Sequence, residues 1–193
     1  MGCFMGVSSV AEYYERLSAI ATKKAPKETR NMGDHITLDR TDAAILRTLQ
    51  MDGRITNKDL AAAVDLSASA CHDRVRRLTD EGVITRFTAE LDMEAIGIGL
   101  ETLLMVQLQR HTRTVIDAFQ THCRSLEEVV ALWHLTGSSD YVVRVVTRDT
   151  THLRDFLMDS FTTRPEVARL QTHTVLWSER KQTWPIWADT DPG

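Results

Sequence analysis

Arg74, Arg76 and Arg77, in the run SASACHDRVRRL from Ser67 to Leu78, are the side chains here whose type and spacing best suit chemistry. That chemistry is recognition rather than catalysis, because a guanidinium fork pairs two-pronged with guanine or with phosphate oxygens. If the run is a helix, each residue advances about 100° around the axis, which puts Cys71, Val75 and Leu78 on one side. That side must be core. The opposite side holds Ser69, Asp73 and Arg76, with His72 and Arg77 beside it, and these are the candidates to face DNA. Ser67 at the start caps the helix, and the N–H groups it leaves at the helix N-terminus make a natural phosphate seat. Arg47, Arg54 and Lys58 are candidates for phosphate contact. Asp73 departs from a purely basic face; it could accept from a cytosine amino group, orient a neighbouring arginine, or be neutral. The plain alternative is an ordinary solvated helix face. The short helix just before it, at the right turn length, favours a reading head.

The elements that must position these residues can be read from periodicity. A first helix runs from about Asp39 to Met51, with Ala43, Ile45, Leu46 and Leu49 on one side and Asp52-Gly53 as its stop. Thr56 caps a second helix, with Asp59 three residues on, and Leu60, Ala61 and Val64 face inward. Asp65-Leu66 forms the turn, and Gly82 ends the third helix. Val83 to Leu91 alternates loosely and reads as a strand or arm. The spacing then predicts a strand over 100–109, a helix over 113–123, strands over 129–136 and 141–147, a helix over 151–161 and a strand over 167–177. Strand, helix, strand, strand, helix, strand is the ferredoxin-like order. The fold class is therefore α+β: a helix-turn-helix over residues 36–85, a connecting arm over 86–98, and an αβ-sandwich over 99–179. Residues 1–35 read as an extension with one helix over Val10–Ile20 and a basic linker, with Met32 an alternative start; residues 180–193 read as a tail.

Composition narrows the class. With 193 residues and 42% hydrophobic content the chain can build real cores. No run of 18 apolar residues exists, and the first twenty residues do not form a signal peptide, so no membrane partner is expected. Three unclustered cysteines, Cys3, Cys71 and Cys123, argue against a disulfide framework or zinc site and for a reducing cytoplasm. The net charge of −4 leaves room for a local basic patch. Seven scattered histidines, no Gly-rich phosphate loop and no nucleophile elbow leave no catalytic residue, metal site or cofactor to assign. An enzymatic rival would be similar in its two-domain shape to haem-precursor decarboxylases and would recruit Arg110, His111 and His122. The second rival is a ligand sensor that has lost DNA binding.

The chain resembles the leucine-responsive and asparagine-synthetase regulator (Lrp/AsnC, or feast/famine) family. The matching residues are LDRTDAAILRTLQMDGRIT, DLAAAVDLSASACHDRVRRL and EGVI in the first half and LEEVVALWHLTGSSDYVVRVV in the second, with a TG-x-x-DY core at Thr136-Gly137-Ser138-Ser139-Asp140-Tyr141. Asp65 stands where the family commonly has Gly. The resemblance implies a winged helix-turn-helix, a regulatory sandwich, and a DNA-binding transcriptional regulator. It also implies homodimers that pair their sheets and assemble further, often to octamers, and a small effector, usually an amino acid, in a cleft between the regulatory domains of neighbouring subunits, lined by the loop from Gly137 to Asp140. On that reading Gly137 lets the backbone approach a ligand. Asp140 pairs with an α-ammonium, and N–H groups with the Thr136 or Ser138 hydroxyls hold an α-carboxylate. His134 and Tyr141 contact the ligand or turn into the sheet. A Gly-Ser-Ser-Asp turn without a ligand is the alternative. Trp184 and Trp187, past the last strand, are expected to pack across a subunit boundary.

Overall fold

The computed structural model describes residues 36–179, 181 and 183–188; the helix expected over Val10–Ile20 and the Met32 start lie outside them. Two compact units are present, and a core of its own holds each together.

The first unit is the reading head. Helix α1 (Arg40–Met51) opens on a reciprocal cap: Asp39 accepts from the Asp42 N–H at 2.7 Å, and Asp42 accepts from the Asp39 N–H at 3.3 Å. Helix α2 (Asn57–Ala63) is capped by Thr56, which accepts from the Asp59 N–H at 3.1 Å. Helix α3 (Ala68–Asp80) is capped by Ser67, which accepts from the Ala70 N–H at 3.2 Å. Between α2 and α3, Asp65 adopts φ +54°, the left-handed conformation that Gly adopts most easily and Asp tolerates. Gly82 (φ +74°) ends α3, with the Val83 N–H donating to Leu78 O and the Gly82 N–H to Thr79 O. Ile45, Leu46, Leu60, Ala61, Cys71 and Leu78 form the core, and Val75 packs against it, as the helical spacing predicts. Of the two readings of Val83–Leu91, strand or arm, the arm holds and no strand forms there. Val83 and Ile84 turn back on the end of α3, and residues 85–92 run on without a ladder partner among the described residues.

The second unit is the sandwich. Strand β1 (Leu100–Leu108) leads to helix α4 (Arg113–Ser125), strands β2 (Val129–His134) and β3 (Tyr141–Thr147), helix α5 (Thr150–Leu157) and strand β4 (Val167–Thr174). The sheet is antiparallel in the order β2-β3-β1-β4. Helix α5 passes into a π-helical turn, Met158–Thr162, which delivers Phe161 to the core and makes the helix end differently from the regular one expected. One sheet face carries Leu104, Val106, Leu108, Tyr141, Val143 and Val145 against Phe119, Cys123, Leu153, Phe156 and Phe161. The strands are period-2, so the other face must carry the alternate residues. Those are Glu101, Leu103 and Met105 on β1, Val142, Arg144 and Val146 on β3, and Ala131 and Trp133 on β2, by their register. Arg144 grips Glu101 two-pronged there, its Nη2 donating to Oε2 at 2.8 Å.

Candidate nucleic-acid interface and effector loop

Helix α3 presents its arginines in two directions. Arg76 is 73% exposed, and its nearest acid is Asp80 one turn on at 3.7 Å. Ser69, His72 and Asp73 lie exposed on the same outward side. Arg74 and Arg77 turn back to α1 instead. Arg74 Nη1 donates to Asp39 at 2.6 Å and to Asp42 at 2.9 Å; Arg77 Nη2 donates to Asp42 at 2.5 Å. Asp42 is only 2% exposed, so two guanidinium groups and the Asp39 N–H neutralise a carboxylate that could not otherwise stay buried. The hydrogen bond from Asp42 N–H holds the Asp39 carboxyl below its ordinary range despite some burial, with Arg74 adding to the shift. Bonds to these carboxylates push both arginines further up.

Arg77 was expected beside the reading face, and the structure ties it to Asp42, because the α1 acid lies within reach of the flank between core and solvent. The remaining candidates stay outward. Arg54 and Lys58 are exposed at the entrance to α2, and Ser67 is exposed at the entrance to α3. Asn57 Nδ2 donates to Ala68 O at 2.8 Å, which fixes these two helix starts side by side. That bond was missed at the sequence level, since an Asn after a Thr cap looks like an ordinary first-turn residue. Arg47, the other phosphate candidate, donates instead to the Ile186 carbonyl at 3.0 Å.

In the sandwich, the loop from His134 to Tyr141 is held from several sides. The Asp140 N–H donates to Val106 O at 2.9 Å, and the Leu135 N–H donates to Asp140 O at 2.8 Å. Asp140 Oδ2 accepts from the Leu108 N–H at 2.7 Å, and Oδ1 lies 2.8 Å from His111 Nε2. Burial would raise the Asp140 pKa, but the Leu108 bond, the His111 bond and the nearby histidine charges together lower it. The carboxylate expected to meet an ammonium is therefore already engaged within its own chain. Tyr141 is likewise not at the loop surface. Its ring is fully buried 4.9 Å from Phe119, and its hydroxyl accepts from Gln120 Nε2 at 3.0 Å. His134 stacks on that ring at 4.6 Å and stays exposed. Thr136, Gly137 and Ser138 are exposed, and Ser139 is half-buried. Gly137 has φ +126°, and nothing lies within 4 Å of where a Cβ would stand, so backbone conformation and not crowding calls for glycine.

His111 completes this loop and was not assigned to it from sequence. It sits 29 residues from Asp140, and only the fold brings β1's exit beside β3's entrance. His122, the other rival catalytic histidine, lies 2.8 Å from Ser160 O and edge-on to Phe161, a structural position.

Comparison with known proteins decides the family. Residues 38–85 match the winged helix-turn-helix DNA-binding family, and residues 101–185 match the Lrp/AsnC ligand binding domain. The chain belongs to the Lrp/AsnC family of transcriptional regulators. It is 36% identical over 159 residues to the HTH-type transcriptional regulator AldR of Mycolicibacterium smegmatis, covering 82% of this chain and 91% of that protein. It is also 36% identical over 137 residues to the leucine-responsive regulatory protein of Rhizobium meliloti, covering 71% of this chain and 88% of that one. Among solved structures, a Neisseria meningitidis transcriptional regulator in complex with L-methionine superposes with a TM-score of 0.71 at 32% identity, over 75% of this chain and 94% of its own. These Lrp/AsnC relatives are regulators, not enzymes, and the chain is a DNA-binding regulator of the same kind. Among the described residues no helix is long and apolar enough to cross a membrane.

Proposed function

We propose that this Lrp/AsnC regulator reads duplex DNA through Ser69, His72, Asp73 and Arg76 of α3, with Ser67, Arg54 and Lys58 on phosphates, and that an amino acid seated on the loop from His134 to Asp140 modulates the reading. The observation that carries the first half is the division of labour on α3. Arg74 and Arg77 fix the helix against α1, which leaves Arg76 outward on a rigid element. For the second half, the support is a loop clamped to β1 by Asp140, with Thr136, Gly137 and Ser138 left exposed on it. The methionine-bound relative is consistent with an amino-acid ligand. Asp140 acts here as a positioning residue, and Tyr141 supports His134 from the core. Arg77 serves the head's stability.

The assembly we infer is a homodimer built on the open sheet face, in which Trp133 is 47% exposed, with higher oligomers up to the octamer formed from such dimers. Two heads then meet two half-sites of a pseudo-palindromic operator. The ligand's effect is limited by its differential affinity for the assembly states.

The test is selection from a random duplex library by the full chain, alone and with each of the twenty amino acids. A defined half-site and a changed enrichment with at least one amino acid are expected. No enrichment over random sequence would end the DNA-reading proposal. Arg76→Ala should lose about 1–3 kcal/mol on the selected duplex and little on random DNA if Arg76 reads a base. An equal loss on both would assign it to phosphate.

A further inference from the structure

Just past β4 the Val175 N–H still donates to Glu101 O of the sandwich, but residues 183–188 further along group with the head. Gln50, on the outer side of α1, turns its side-chain amide on the backbone of Trp184. Its Nε2 donates to Trp184 O at 3.3 Å and its Oε1 accepts from the Trp184 N–H. One amide thus satisfies both main-chain groups of one residue, as a neighbouring strand would. One turn back, Arg47 donates to Ile186 O at 3.0 Å. The Ile186 side chain packs against the core of Ile45, Leu46, Leu60 and Leu78, while Trp184 and Trp187 face outward, 81% and 83% exposed. Pro185 fixes its own φ and restricts the residue before it, so the segment loses little freedom on docking.

We propose that the outer face of α1 is a docking site for the chain's own Trp184-Pro185-Ile186-Trp187 segment, in cis, and that this docking gives the sensor a second, non-covalent hold on the head. The two units are joined near Ala89–Glu90 and again near Glu179–Arg180. The step from Thr174 to Trp184 can span at most about 35 Å, so the tail is a short leash. Its sandwich end is β4, which pairs along β1 from Thr102 to Leu108. Strand β1 in turn supplies the Val106 carbonyl and Leu108 amide that hold Asp140. A change at the effector loop therefore reaches α1 by hydrogen-bonded strands and the leash as well as by the connecting arm. This coupling rests on the amino-acid reading above; the docking does not. The dock uses Ile186 and the backbone, so the indoles of Trp184 and Trp187 stay exposed for the subunit boundary at which they are expected to pack.

Two variants test it in the full chain. Ile186→Asp puts a charge into the head core's edge, and Gln50→Ala removes the amide grip without altering the core. Hydrogen exchange in α1 should quicken at least tenfold in Ile186→Asp and by less in Gln50→Ala, with α4 and β3 unchanged. On the selected duplex, the affinity change caused by the active amino acid should shrink several-fold in both, while calorimetry shows that amino acid still bound as in the parent. Unchanged α1 exchange in both variants overturns the docking. Faster exchange with a full amino-acid effect overturns the second hold. If no amino acid alters the parent's affinity, the coupling falls with the functional reading, and the exchange result still decides the docking.

Discussion

Asp42 shows how one side chain sorts three arginines. Buried at the start of α1, it takes Arg74 and Arg77 and leaves Arg76 outward. Asp42→Ala should destabilise the head by about 2–3 kcal/mol, measured by urea unfolding, because hydrogen bonds to a charged group are lost. The full cost of breaking a buried pair does not arise, since both arginines keep partial access to water. Arg76→Ala should leave the same unfolding curve unmoved. The amphipathic spacing of RVRRL was legible in the sequence, but which arginine turns back depends on an acid 35 residues away from Arg77 and could not be read locally. Asp140 makes a prediction about pH. Its folded pKa is lowered, so its stabilisation is complete above the unfolded carboxylate value of about 4 and is lost as pH falls through the folded one. Asp140→Asn should flatten that acid limb of sandwich stability, followed by denaturant unfolding between pH 7 and pH 3.

Among the elements, the sheet explains both what the sequence revealed and what it withheld. The alternation of β3, apolar at Tyr141, Val143 and Val145, announces one buried face, and the strand bounds follow from it. The turn at Asp65 was legible too, because Asp is among the few side chains that accept φ +54° there. The residues after Gly82 read equally as strand or arm, because a strand needs a ladder partner and alternation says nothing about partners. The π-helical turn was hidden because it departs from the 3.6-residue period only at Met158–Thr162. Packing on both faces is the rule for a sheet this apolar on its second side, where Leu103, Met105, Val142 and Trp133 line up. Trp133→Glu should therefore shift the protein to smaller species in light scattering while leaving the circular dichroism of the protomer intact. An unchanged mass would remove this face from the assembly.

For the molecule as a whole, sequence order and spatial grouping part company at the tail. KQTWPIW carries no periodicity, and its partner, the outer side of α1, has only Arg47 and Gln50 to mark it; nothing local joins positions 134 residues apart. The two cores also differ in a way that can be put to use. Among the described residues each encloses one thiol, Cys71 in the head and Cys123 in the sandwich, and both are free. Burial pushes the Cys71 thiol up and the Cys123 thiol to about 12, so neither is nucleophilic while its surroundings stay closed. An alkylating reagent can thus mark either cysteine only during an opening of its own unit, and peptide masses taken over time give two independent clocks from one sample. Letting go of the tail should speed the first clock and leave the second running at its old rate.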